Sequence, residues 1–263
     1  MRKLSSVLKA LCVLALASPL VLAWAPTSWL PGVLAPSFEA ALQASFRQLS
    51  ITLAATLAAT TLLTVALGYA SVLSMRFGRT GASVLNSVES VPSILVALFC
   101  YAPVSGYLAQ HASGASRTMS LAVFILAAAL TALAEAVRRV GIPRGDLCHR
   151  KYSLSFRSYG FTKRRILAVL MGSRVMRNTL KRVAAAIVLK TLVLDCSFGF
   201  IIQLGFGSYG TPAHASPGAL IAAHRDALFD GGTPILFWLP SLLLILISLS
   251  FLLTLGDRSE VAA

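Results

Sequence analysis

The sequence predicts an all-α integral membrane protein of about six transmembrane helices with both chain ends on the inner side. Three observations lead there. Of 263 residues, 57% are apolar and 12% are charged, about half the charged fraction of a soluble domain, and the mean hydropathy is +0.79. Six apolar segments reach the roughly 20 residues that an α-helix needs to cross a hydrocarbon core. Between Arg138 and Arg182, 45 residues hold 13 of the chain's 23 Lys and Arg and a single acid, Asp146. A basic block of this density between apolar runs is retained on the cytoplasmic side and so orients every span around it.

The spans fall at roughly 6–24, 49–73, 91–110, 119–137, 183–205 and 234–255. The first follows Met1-Arg2-Lys3 and continues to Trp24. It reads as an anchor, with a cleaved signal peptide ending near Ala15-Leu16-Ala17 as the alternative. Pro26, Pro31, Gly32 and Pro36 then punctuate the chain into turns, and Phe38 to Arg47 is a candidate surface helix. Residues 1–48 are thus expected to form an N-terminal membrane anchor with an outer-side segment, and 49–258 one transmembrane domain. The stretch 206–233, rich in Gly and Pro, suits a loop or short helix at the outer mouth. With 138–182 inside, Arg2, Lys3, Lys9, Arg76, Arg79 and Arg258 also lie inward, which leaves only Arg47, Arg117 and Arg225 outside.

Several chemistries are absent. No G-x-x-x-x-G-K-[ST] cradle holds a nucleotide, and neither an H-E-x-x-H zinc helix nor a G-x-S-x-G elbow occurs, so no enzyme reading has a constellation to stand on. The net charge of +14 would ordinarily suggest nucleic acid. Charges pinned between spans are explained by topology and lipid headgroups instead, so no nucleic-acid partner is expected. Cys12, Cys100, Cys148 and Cys196 lack C-x-x-C spacing and read as small packing residues. Of the scattered histidines, His214 and His224 are near each other in sequence, but two histidines in a polar loop are usually solvated, and no metal site is assigned.

The ionisable residues inside the spans are Glu135, Lys190 and Asp195. Charge at such depth is costly and marks a functional candidate by default. Glu135 lies three residues from Arg138 and is expected to pair with it on the helix surface. Lys190 and Asp195 are five apart, about 140° around a helix, so each needs its own partner. Asp195, with Ser197 and Gln203 adding polarity to the same span, is the candidate translocation-path residue; a structural polar contact between helices is the alternative.

The basic loop carries a further pattern: Tyr152, Gly160 and Ile166 stand at the spacing of Y-x-E-A-A-x-x-x-G-x-x-x-x-x-I, followed by other ordered matches. The chain over roughly 49–258 resembles the inner-membrane permease subunits of ABC importers, in the dipeptide/oligopeptide/nickel branch. Asn86 to Pro92 with Ser93 resembles the stretch before the family's third span. Asp195 to Ile201 is similar to its E-A-S-L-S-F-L, and Leu255-Gly256-Asp257 to its closing L-G-D. Two departures stand out: Leu154-Ser155-Phe156 replaces E-A-A, and Arg177-Asn178 replaces P-N.

The resemblance implies a cytoplasmic coupling helix between spans four and five, built on Tyr152, Leu154, Ser155, Phe156, Gly160 and Ile166, that seats in a cleft of an ATPase. It implies a bacterial inner-membrane, multi-pass permease without a cofactor of its own, ATP being bound by two partner subunits. A second permease subunit, an extracytoplasmic substrate-binding protein and membrane lipid complete the expected partners. Peptides are the substrate class the branch favours, with nickel next. An amphipathic helix on anionic lipid is the alternative for 150–170. For the whole chain the alternatives are an ion-coupled secondary transporter using Asp195 and Glu135, or a non-transporting membrane scaffold.

Overall fold

A computed structural model describes residues 2–25, 29, 34–73, 80–81, 83–84, 87, 90–110, 114–141, 158–162, 165, 174–206, 215–229 and 233–255. Among them are seven α-helices of defined extent and no strand. These are α1 (Arg2–Leu22), α2 (Pro36–Leu73), α3 (Ser93–Gln110), α4 (Gly114–Ala136), α5 (Arg174–Phe206), α6 (Pro217–Ala223) and α7 (Ile235–Leu255). A π-helical turn, Val137–Gly141, extends α4, and a 3-10 turn, Arg225–Leu228, follows α6. Four helices are long and apolar enough to cross a membrane, within Pro36–Leu67, Thr118–Arg139, Asn178–Ile202 and Ile235–Leu253. That content fits a multi-pass membrane protein. The coupling-helix residues Tyr152, Leu154, Ser155, Phe156 and Ile166 lie outside the described residues, and Gly160 lies within them.

α4 and α5 run antiparallel, as do α1 and α7. Tyr101 and Ala97 of α3 share a cluster with Phe124, Ala127 and Ala128 of α4 and with Leu194, Phe198 and Ile202 of α5. Further along, Ala132 and Ala136 of α4 meet Val183 and Ile187 of α5, so numbering rises in one helix as it falls in the other. The Ser250 hydroxyl of α7 donates to the Val13 carbonyl of α1 at 3.0 Å, while Ala23 at the other end packs in one cluster with Leu236 and Leu239. Helix α5 packs against α2, α3, α4, α6 and α7 and is the centre of the bundle. α4 is the most enclosed of the four long apolar helices and α7 the least, with Trp238, Leu242, Ile245, Leu249 and Leu253 exposed. A ring of exposed apolar side chains is what a hydrocarbon solvent requires.

Helix α2 departs from expectation. Phe38 to Arg47 is helical but not a surface helix: it is the first part of an unbroken 38-residue helix. Phe38, Leu42, Phe46, Leu49 and Leu53 form a buried stripe at three- and four-residue spacing, which packs on α5, α6 and α7. The Gly/Pro-rich stretch 206–233 does contain a short helix, α6, and most of that helix is buried.

Two glycines fix how α6 meets α5. A Cβ at Gly199 would overlap the Ser216 hydroxyl oxygen and stand 3.2 Å from the Ala219 nitrogen. A Cβ at Gly218 would overlap the Cys196 carbonyl oxygen and stand 2.6 Å from its carbon. The backbones touch because neither position carries a side chain. Ser216 is buried and caps α6 by accepting from the Ala219 N–H at 3.2 Å, and Pro217 follows at the first helical position, where its missing N–H costs nothing.

Gly218→Ala is expected to destabilise the protein by about 1–3 kcal/mol or more, because the added methyl meets backbone. Gly199→Ala should cost less, and adding Ser216→Ala should recover part of that loss by removing the overlapping oxygen. Thermal unfolding midpoints of the detergent-solubilised variants test this; a wild-type midpoint for Gly218→Ala would refute the crossing.

Candidate functional site

The polar residues of the bundle interior form the candidate site, and α5 carries the charged ones. Asp195 has 0% of its surface exposed. Its neighbour Leu194 packs toward α3 and α4, and Cys196 on the other side packs toward α2 and α7. The Cys196 carbonyl is where Gly218 of α6 rides, so Asp195 lies beside the α5–α6 crossing. Ser197, half-buried, is two residues on and about 200° around the helix, so it does not share a face with Asp195. Gln203 belongs to α5, but its side chain is outside the described residues.

Lys190 finds a partner of its own. Its Nζ donates to the Thr131 carbonyl of α4 at 2.9 Å, a cation-to-backbone bond between two spans. The hydroxyls nearby are handled locally: Thr191 donates to the Ile187 carbonyl at 2.8 Å and Thr131 to the Ala128 carbonyl at 2.9 Å. On α2, Thr52, Thr56, Thr60 and Thr64 recur every fourth residue and are all buried. Thr52 and Thr64 donate to the carbonyls of Gln48 and Thr60, at 3.0 and 2.6 Å. Back-bonding of this kind lets a hydroxyl sit in an apolar span. On the α3–α4 side, the buried Ser120 hydroxyl donates to the Tyr101 phenol oxygen at 3.2 Å.

Glu135 pairs with Arg139 at 2.8 Å, four residues on, and not with Arg138 as the three-residue spacing suggested. The π-turn explains the choice. Widening the turn lowers the rotation per residue below the α-helical value of about 100°, which brings the fourth residue onto the Glu135 face and carries the third away.

At the opposite end of the bundle a second group of polar contacts gathers. The Trp24 indole donates to the Ser50 hydroxyl at 2.9 Å and the Trp29 indole to the Leu22 carbonyl at 3.1 Å. The Trp29 backbone N–H donates to the Glu39 carboxylate. Arg47 donates from Nε and Nη2 to the Ala23 carbonyl, both at 3.3 Å, and its guanidinium lies 5.3 Å from the Trp24 ring centroid. His224 is set edge-on to Phe38, centroids 5.0 Å apart, with Nδ1 3.0 Å from the Leu220 carbonyl. Its ring is thus engaged in packing; His214 is outside the described residues.

In the basic loop, Gly160 is exposed with φ +79°, and a Cβ there would meet nothing within 4 Å. The constraint at this glycine is backbone conformation, not space. Arg165 lies over the Phe161 ring at 5.0 Å. Cys12, Cys100 and Cys196 are free thiols.

No protein-family model matches this chain, and no curated protein matches it.

The α5–α6 crossing, the Lys190 bond and the Arg47–Trp24 pair escaped sequence reasoning. The first carries a faint signal in the small residues Gly199, Ser216 and Gly218. The other two end on backbone carbonyls, which no side-chain pattern records.

Removing the Lys190 ammonium leaves the Thr131 carbonyl with its place in the α4 ladder, so no orphaned group results. Lys190→Met is therefore expected to shift unfolding stability by no more than about 1 kcal/mol. Loss of the folded, detergent-soluble protein would show that the charge itself is needed.

Proposed function

We propose that this chain is the membrane-spanning permease subunit of an ATP-driven ABC importer in the bacterial inner membrane, of the dipeptide/oligopeptide/nickel type. The observation that carries the reading is Asp195, a fully enclosed carboxylate on the central apolar helix. A buried charge in a span is retained at a cost of several kcal/mol, which points to work on a polar cargo. Asp195 also opens the Asp195–Ile201 segment, which is similar to a stretch of that family.

In this reading the basic stretch 138–182 is cytoplasmic, both chain ends are inside, and the end bearing Trp24, Trp29 and His224 faces outward. Two permease chains enclose the path, peptides or nickel arrive from an extracytoplasmic binding protein, and two ATP-binding subunits dock below. Tyr152 to Ile166 forms the coupling helix, with Leu154 and Phe156 as apolar anchors in place of the acidic contact. The φ of +79° at Gly160 supports a sharp turn inside that segment. ATP shifts the equilibrium between inward- and outward-open states only through its differential affinity for the two.

Purification of the tagged chain from its own membranes in mild detergent should co-isolate an ATPase and a second permease; repeated recovery of the folded chain alone would overturn the proposal. Gly160→Val imposes the left-handed conformation on a β-branched residue at about 1–2 kcal/mol. It should lower uptake about five- to thirty-fold while partner ATP hydrolysis persists; unchanged uptake would remove Gly160 from the coupling joint. Asp195→Asn should reduce uptake with assembly intact, and full uptake in that variant would make the charge incidental.

A further inference from the structure

The Arg47–Trp24 pair has the makings of a binding site for an anionic phospholipid headgroup. Arg47 is exposed, and two of its nitrogens are committed to the Ala23 carbonyl at the end of α1. That bond caps a helix C-terminus with a cation and ties α1 to α2. The indole beneath holds the guanidinium plane in place. Among the described residues, Nη1 has no acceptor and Arg47 has no carboxylate within ion-pair distance. A charged fork is therefore held rigid with one edge free and its charge uncompensated.

The surroundings select the occupant. Ile51, four residues after Arg47 and so on the same face of α2, is exposed, as are Val21 and Leu22 at the end of α1 and Trp24 just after it, which bonds to Ser50. The surface thus changes from cationic to apolar within one helical turn. Trp24 and Trp238 are both half-exposed at this end of the bundle, where the first turn of α7 begins, as the aromatic belt of a membrane interface would place them. A free phosphate would satisfy the guanidinium and leave the apolar face in water. A phospholipid satisfies both, phosphate on the Arg47 fork and acyl chain along Val21, Leu22 and Ile51.

We infer that Arg47, seated on Trp24, binds the phosphate of one anionic phospholipid where the end of α1 meets α2. This holds whether or not the chain transports anything.

The full chain with Trp29→Phe and Trp238→Phe leaves Trp24 as the reporter, and is reconstituted with brominated phosphatidylglycerol or brominated phosphatidylcholine. Quenching of Trp24 should report about fivefold tighter occupancy by the anionic lipid, as one well-placed Arg provides. Arg47→Gln should abolish that preference, and millimolar inorganic phosphate should not displace the lipid. Equal quenching by the two lipids, persistence of the preference in Arg47→Gln, or displacement by phosphate would each overturn the assignment. If the double Trp replacement fails to fold, native mass spectrometry of the chain with all three tryptophans should show one fewer retained phosphatidylglycerol in Arg47→Gln; equal retention would overturn it.

Discussion

A hydrocarbon solvent offers no hydrogen-bond partner, so every polar group that a spanning helix carries must be matched by protein. Helix α5 concentrates this demand, since Lys190, Thr191 and Asp195 lie within two turns of one another on it. The bundle meets part of it, and among the described residues the buried Thr56 and Thr60 hydroxyls of α2 make no hydrogen bond. α4 presents the Thr131 carbonyl to Lys190, α5 returns Thr191 to its own Ile187 carbonyl, and five helices close around the whole. α7 carries Ser241, Ser248 and Ser250. Ser241 and Ser248 bond back to carbonyls of their own helix and Ser250 to the Val13 carbonyl of α1, so α7 can lie at the periphery against α1 with its apolar side chains exposed. Position in the bundle thus follows polarity that a helix cannot satisfy by itself.

The close crossing of α5 and α6 follows from the same demand. A helix as short as α6 has a large share of its N–H and C=O groups at its ends, where no intrahelical partner exists. Ser216 meets one of these needs, and the 222–224 turn closes back on Leu220. Burial of the rest is possible because Gly199 and Gly218 let the two backbones come together, leaving no gap for water or lipid at the contact. Asp195, fully enclosed, precedes Cys196, whose carbonyl is part of that contact.

The long apolar helices were legible because their signal is composition over about 20 residues, which neighbours do not change. Four of the six segments appear as helices long and apolar enough to span. What escaped depends on distant parts of the chain. The start of α2 carries Glu39, Gln43, Arg47 and Gln48, which read as surface, and the packing of α5, α6, α7 and Trp29 against Phe38, Leu42 and Phe46 makes that stripe a core. Glu135 had two helical partners of similar spacing, and a π-turn chose between them. Asp195, singled out from sequence as a charge within a span, is fully enclosed on α5, and Ser197 adds polarity to the same helix on a different face. Most of the coupling segment lies outside the described residues, so its legibility rests on Gly160 alone.

The length of α2 ties these features to a membrane boundary. Thirty-eight residues make a rod of about 57 Å at about 1.5 Å per residue, well beyond a hydrocarbon core of about 30 Å. Some of it must leave the apolar layer, and the place is marked independently from three sides. Arg47 is the last charged residue on α2 before an uninterrupted uncharged run to Leu73. Trp24, bonded to Ser50, and Trp238, in the first turn of α7, are the amphipathic rings expected at an interface. Counting from Gln48, 20 residues reach Leu67 and cover about 30 Å, and α2 continues to Leu73. In the proposed membrane placement the part before Arg47 projects past the interface, where protein and not lipid covers its buried stripe: it clusters with α5, α6 and α7, and His224 stands edge-on to Phe38.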